Sequence, residues 1–145
     1  MSRKYLDKIH RVNCLMEDAD SVYHQAAIKF GMSDSAMFVL YMVYIHDGTC
    51  PLYNIYKQSG ISKQTINSAL RKLESDNLVY LENQTGKYKL VCFTERGMVY
   101  AEQNVSKLVD AECAAFADWS EEEIDLYLLQ LEKYNTALRK QIELL

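Results

Sequence analysis

Proline is nearly absent from this chain and glycine is scarce, one Pro and five Gly in 145 residues. Both are costly inside helices, so their rarity predicts long uninterrupted helices, with each of these residues marking a boundary. The four cysteines, Cys14, Cys50, Cys92 and Cys113, stand far apart with no C-x-x-C pair. That spacing excludes a zinc ribbon or a disulfide framework and fits reduced thiols in the cytosol. No apolar run reaches the ~18 residues of a membrane span. Asp7, Lys8 and His10 follow the first residues where a signal peptide would have its apolar core. The expectation is a soluble cytoplasmic protein with no membrane contact. His10, His24 and His46 form no i, i+4 His pair, and no G-x-S-x-G, H-E-x-x-H, P-loop or dinucleotide fingerprint occurs. Enzymatic activity, a cofactor and a metal are therefore not expected.

With 49% hydrophobic and 25% charged residues, the chain has the balance of an ordinary folded domain that buries its own core. Its net charge of -4 is unevenly placed. From Thr49 to Gly97 there are seven Lys/Arg against four acids, a balance of +3, whereas the flanks carry nine against sixteen, or -7. A basic middle between acidic ends points to a local anionic partner rather than to a protein basic all over.

Apolar residues recur at helical spacing from about Lys4 to Phe30, and Gly31 supplies a stop. Ser33 is a candidate N-cap for a second helix, Asp34 to about His46, apolar nearly all round and so expected at the centre. Asp47 to Pro51 reads as a turn into a short third helix, Leu52 to about Gln58, ended by Gly60. Ser62 then caps a fourth, Lys63 to about Asp76. Two short helices joined by a Gly-containing turn form a helix-turn-helix. In the fourth helix, Ile66, Ala69, Leu70 and Leu73 make one buried stripe, which turns Lys63, Gln64, Thr65, Asn67, Ser68, Arg71 and Lys72 outward on a face without an acid.

The segments Leu78 to Glu82 and Tyr88 to Phe93 are rich in β-branched and aromatic residues, and Asn83 to Lys87 between them reads as a hairpin loop. A hairpin directly after a helix-turn-helix is a wing. Thr94 caps a fifth helix that carries Met98, Ala101, Val105, Leu108, Val109 and Phe116 along one side. Gly97 in its first turn is expected to admit a neighbouring backbone. Ser120 and Glu123 form a capping box for a sixth helix, whose apolar positions continue to Leu145. That much apolar surface implies a partner, most simply a second copy.

This order of elements, with Gly60 to Asn67, Leu70 to Val79, Leu90 to Phe93 and Thr94-Glu95-Arg96-Gly97, resembles the MarR family of winged-helix transcription regulators. The expected fold is mainly α: a winged helix-turn-helix lobe over residues 32–97 with a two-stranded wing, and dimerisation helices over 1–31 and 98–145, forming one domain. The resemblance implies a homodimer that sets each recognition helix in the major groove of half a palindrome. The bottom-up reading agrees that the partner is double-stranded DNA. Gln64, Asn67 and Arg71 have the chemistry to read base edges, while Ser62, Lys63, Thr65, Ser68 and Lys72 suit phosphates. The wing departs from the family, which usually carries an Asp and an Arg near the tip. Here Lys87 and Lys89 remain for phosphate, and weaker minor-groove readout is expected.

Other residues carry competing readings. Tyr23, Tyr41 and Tyr44 are candidates for lining a pocket for a small aromatic or amphipathic effector, although aromatics at helical spacing are more often core. Cys14 lies four residues after His10 on the same helical face, where an imidazolium lowers a thiol pKa, so a thiol-based redox regulator is an alternative. A second alternative is a winged-helix interaction module without specific DNA binding. The reading adopted is a homodimeric repressor released by a small molecule.

Overall fold

The computed structural model describes residues 3–83 and 89–145. Lys87 of the expected wing lies outside them. The chain divides into two compact units, residues 1–108 and 109–145.

In the first unit, α1 (Leu6–Lys29) ends at Gly31, whose φ of +67° turns the chain while the Met32 N–H donates back to the Ala27 carbonyl at 3.0 Å. Helix α2 (Asp34–Ile45) starts at Ser33, whose hydroxyl accepts from the Ala36 N–H at 3.2 Å. Six of its residues are buried, among them Val39, Leu40 and Val43 at 0% exposure, so this apolar helix is the centre of the core. Helices α1 and α2 are bent by 88° from each other, and among the described residues no single helix is long and apolar enough to cross a membrane. His24 and Asp34 tie the two helices at 2.8 Å across an exposed edge.

After α2 the sheet is richer than a two-stranded wing. Thr49–Pro51 forms a short strand, β1, that pairs antiparallel with β3 (Lys89–Phe93), which also pairs with β2 (Val79–Asn83), giving the order β1-β3-β2. Residues 47 to 51 read as a turn because three residues carry no alternation and end in proline. Proline is tolerated on an edge strand, and full burial of Cys50 against Val91 holds β1 in place. Helices α3 (Leu52–Ser59) and α4 (Lys63–Ser75) follow, joined through Gly60 at φ +62°.

The expected fifth helix is two helices. Helix α5 (Glu95–Gln103) stops at Asn104, and α6 (Val105–Ala115) follows, running across the division between the units. At Asn104 the side-chain amide donates to the Tyr100 carbonyl at 3.0 Å, the acceptor its own backbone N–H also uses. Such local side-chain bonding competes with helix propagation, and the backbone leaves helical geometry there at φ -128°. The apolar spacing runs on through the break, which hides it in the sequence. Gly97 faces the backbone of Leu78 closely: a Cβ at this position would lie 1.8 Å from the Leu78 carbonyl oxygen. Thr94 secures the same junction, its hydroxyl donating to the Asn77 carbonyl at 2.6 Å and accepting from the Gly97 N–H at 2.9 Å.

The second unit contains the rest of α6 and helix α7 (Glu121–Ile142). Both halves of the capping box form: the Glu123 N–H donates to Ser120 Oγ at 3.2 Å, and the Ser120 N–H donates to Glu123 Oε2 at 2.8 Å. Phe116, Trp119 and Tyr127 pack edge to face beside the turn, with Trp119 and Tyr127 centroids 5.5 Å apart. Along α7 no residue is buried within the chain.

Candidate nucleic-acid interface

Ser62 builds the start of α4, its Oγ accepting from the Thr65 N–H at 3.2 Å and lying 2.8 Å from Thr65 Oγ1. The four predicted core residues, Ile66, Ala69, Leu70 and Leu73, are the buried residues of this helix, against α2 and the sheet. With that stripe inward, Ser62, Lys63, Gln64, Thr65, Ser68, Arg71 and Lys72 are exposed and Asn67 is half-buried. The first turn of α4 is free of acid and its helix dipole is positive at this end, so the turn attracts anions before any side chain is counted.

The side chains on this face are not equivalent. Gln64 is exposed at the second helical position, and Arg71 donates from Nη2 to Ser68 Oγ at 3.2 Å, which leaves most of its guanidinium outward. Lys72, one turn from the end of the helix, pairs with Asp76 at 2.8 Å, and that neighbouring carboxylate offsets its charge toward a phosphate. Lys63 instead lies over the Tyr56 ring, its Nζ 5.3 Å from the centroid, and makes no ion pair among the described residues. The same tyrosine donates its hydroxyl to Asn67 Oδ1 at 2.5 Å. Tyr56, on α3, is thus a site residue that sequence reasoning missed. The signal was a polar aromatic on the first helix of the pair, eleven positions before Asn67 and across the turn. On the sheet, Lys89 is exposed opposite Asn83, at the base of the wing loop.

The other candidates are dispersed. Tyr41 and Tyr44 are half-buried against the core of the first unit, whereas Tyr23 stands exposed on α1. A cleft of about 480 Å³ in the second unit is lined by Asp118, Trp119, Glu123, Leu126, Tyr127 and Gln130, none of them among the three expected tyrosines. Cys14 is exposed with its Sγ 3.7 Å from His10 Nε2, the pairing its spacing implied. Cys50 and Cys92 are buried, and burial pushes the Cys50 thiol up to about 11. Among the described residues no three His, Cys, Asp or Glu side chains gather to hold a metal ion.

Helix α4 carries one acid, the exposed Glu74, beyond its acid-free first turn. Its place as the second helix of a helix-turn-helix followed by a paired hairpin defines a winged-helix fold. The sequence model of the MarR family matches residues 30–87, and the fold is shared with solved MarR-family regulators. A MarR family regulator from Neisseria meningitidis shares the fold with a TM-score of 0.83 at 16% identity, over 94% of this chain and 96% of its own. MepR from S. aureus, solved as a DNA complex, matches with a TM-score of 0.64 at 22% identity, over 95% and 98% of the two chains. BpsR of Bordetella bronchiseptica, whose DNA binding is regulated by 6-hydroxynicotinic acid, matches at 0.62 and 18% identity over 86% and 91%. No curated protein matches the sequence.

Proposed function

We propose that this protein is a homodimeric repressor, acting in the cytoplasm, that binds a palindromic operator through α4 and releases it when a small molecule binds. The observation that carries this reading is the exposed polar and basic face of α4, acid-free in its first turn and set by a buried stripe on its other side. Residues 32–97 form the DNA-binding lobe and residues 1–31 and 98–145 the dimerisation helices. Support for the dimer comes from apolar side chains that each unit leaves in water: Leu6, Met16 and Ile28 on α1, and Leu128, Leu138 and Ile142 on α7. A two-fold dimer presents two recognition helices about one DNA turn, ~34 Å, apart, which doubles a modest local charge into a useful one.

Within each half-site, Lys63, Ser62, Thr65 and Ser68 contact phosphate, Gln64 and Arg71 read bases, and Lys72, Lys87 and Lys89 add to the electrostatic field. The effector binds the form of the dimer whose recognition helices are badly spaced for the groove, so DNA and effector oppose each other through one equilibrium. Tyr23, Tyr41 and Tyr44 remain the candidates for its pocket. MepR as a DNA complex and BpsR as a ligand-regulated DNA binder support both halves of this reading by analogy of fold.

The test is titration of a fluorescent duplex carrying the protein's own upstream region at two salt concentrations, with dimerisation followed by light scattering. Sequence-preferring binding that weakens steeply with salt is expected. A clean dimer with no preference over random DNA would instead establish an interaction module. The exposed Cys14–His10 pair favours one further reading, regulation by thiol oxidation. DNA release on peroxide treatment that Cys14→Ser abolishes would establish it, and release indifferent to peroxide would remove it.

A further inference from the structure

We infer that Tyr56 sets the base preference of the recognition helix by turning the Asn67 amide so that only its amino group is left to read DNA. This rests on the reading of α4 as the DNA-contacting helix.

A free asparagine grips adenine with both ends of its amide, Oδ1 accepting from N6 and Nδ2 donating to N7. Here the Tyr56 hydroxyl lies 2.5 Å from Asn67 Oδ1. The amide oxygen faces Tyr56, so the hydroxyl donates and Oδ1 accepts. Both residues are half-buried, and Tyr56 packs against the core, so this hydroxyl is fixed by its own helix rather than swinging with the partner. With the oxygen edge of the amide held toward α3, the amino group is the end that remains. It donates to N7, which adenine and guanine share, whereas cytosine offers only a donor there and thymine sets its C5-methyl beside O4.

Asn67 therefore reads purine rather than adenine. Tyr56 is a positioning residue, and it has a second, separable role, because its ring supports Lys63 at 5.3 Å through the π face and not through the hydroxyl. Removing the hydroxyl alone frees the amide while leaving the lysine in place.

The experiment selects the preferred operator of the wild-type protein from randomised duplexes. Each position is then replaced with all four base pairs, and affinities are compared for wild type, Tyr56→Phe and Asn67→Ala at two salt concentrations. In the wild type, one position per half-site should accept A and G within about twofold and disfavour pyrimidines. Tyr56→Phe should raise A over G at that same position by roughly fivefold or more, with the salt slope unchanged. Asn67→Ala should erase the purine preference there and nowhere else, which keeps the test decisive if the phenylalanine variant folds poorly. A Tyr56→Phe protein that is folded, binds DNA and keeps the wild-type profile at every position would overturn the inference and leave DNA binding intact. An Asn67→Ala protein with an unaltered profile would do the same. Failure of the wild type to select any sequence would overturn the proposed function itself, and this inference with it.

Discussion

Replacing Gly97 with alanine isolates one contact whose cost follows from distances. The added Cβ would sit 1.8 Å from the Leu78 carbonyl oxygen and 2.8 Å from its carbon, both backbone atoms that no rotamer change moves aside. Restoring an ordinary contact of about 3.4 Å requires α5 and the Leu78 peptide to part by about 1.6 Å. That displacement breaks the Thr94 N–H bond to the Leu78 carbonyl, now 3.1 Å, and the Thr94 hydroxyl bond to the Asn77 carbonyl, now 2.6 Å. Two hydrogen bonds at about 0.5–1.5 kcal/mol each and an overpacking cost of about 1–3 kcal/mol oppose a helix-propensity gain of about 1 kcal/mol. The expected net loss is about 1–5 kcal/mol, a large share of the stability of a small domain. Urea unfolding followed by far-ultraviolet circular dichroism measures it, with Gly31→Ala as a comparison. Gly31 has φ +67° but no atom within 4 Å of an added Cβ, so only the left-handed backbone is penalised, about 1–2 kcal/mol. A Gly97→Ala protein as stable as wild type, or more stable by the propensity gain, would refute the reasoning.

Lys63→Ala should weaken binding to all duplexes alike and lower the slope of log affinity against log salt by about 1, whereas Arg71→Ala should cost about 1–3 kcal/mol on the preferred operator and relax specificity at one base pair; equal effects on matched and scrambled duplexes for both variants would defeat the assignment. Lys72→Ala should alter the slope less than Lys63→Ala, because Asp76 already offsets its charge. Stability should fall as pH rises from 9 to about 11, since the unfolded Cys50 thiol ionises near 9.0 while the buried one stays neutral to about 11. The same stability is fully present below pH 9, and Cys50→Ala should flatten that alkaline decline, as denaturant midpoints measured across the range will show. Ser120→Ala should destabilise α7 by about 1 kcal/mol through loss of half the capping box, read by thermal melting; no shift in the melting curve would contradict the geometry.

Much of this molecule was legible in its residues. The caps at Ser33, Ser62, Thr94 and Ser120 form as their spacing predicts, because a cap is decided within four residues of itself. The stripe Ile66, Ala69, Leu70 and Leu73 was equally readable, since periodicity over three turns leaves one inward face. Features that depend on a distant strand or helix, or that leave the apolar spacing unaltered, were not. Strand β1 exists through its pairing with residues forty positions away, and the break at Asn104 depends on a side-chain bond that leaves the apolar spacing unaltered. Tyr56 belongs to the same group: composition gives no hint that a tyrosine on one helix holds the amide of an asparagine on the next.

The position of β1 gives the wing a mechanical connection. Because β3 lies between β1 and β2, the wing is hinged on a strand whose other edge is bonded to the segment that leaves α2. Only three residues separate Ile45 at the end of α2 from Thr49 at the start of β1, and the Phe93 N–H donates to the Gly48 carbonyl at 2.9 Å within that link. A shift of the end of α2 therefore drags the inner edge of the sheet, and the hairpin turns with it as the arm of a lever. Helix α4 packs on α2 as well, so one displaced helix moves both the proposed recognition helix and the sheet.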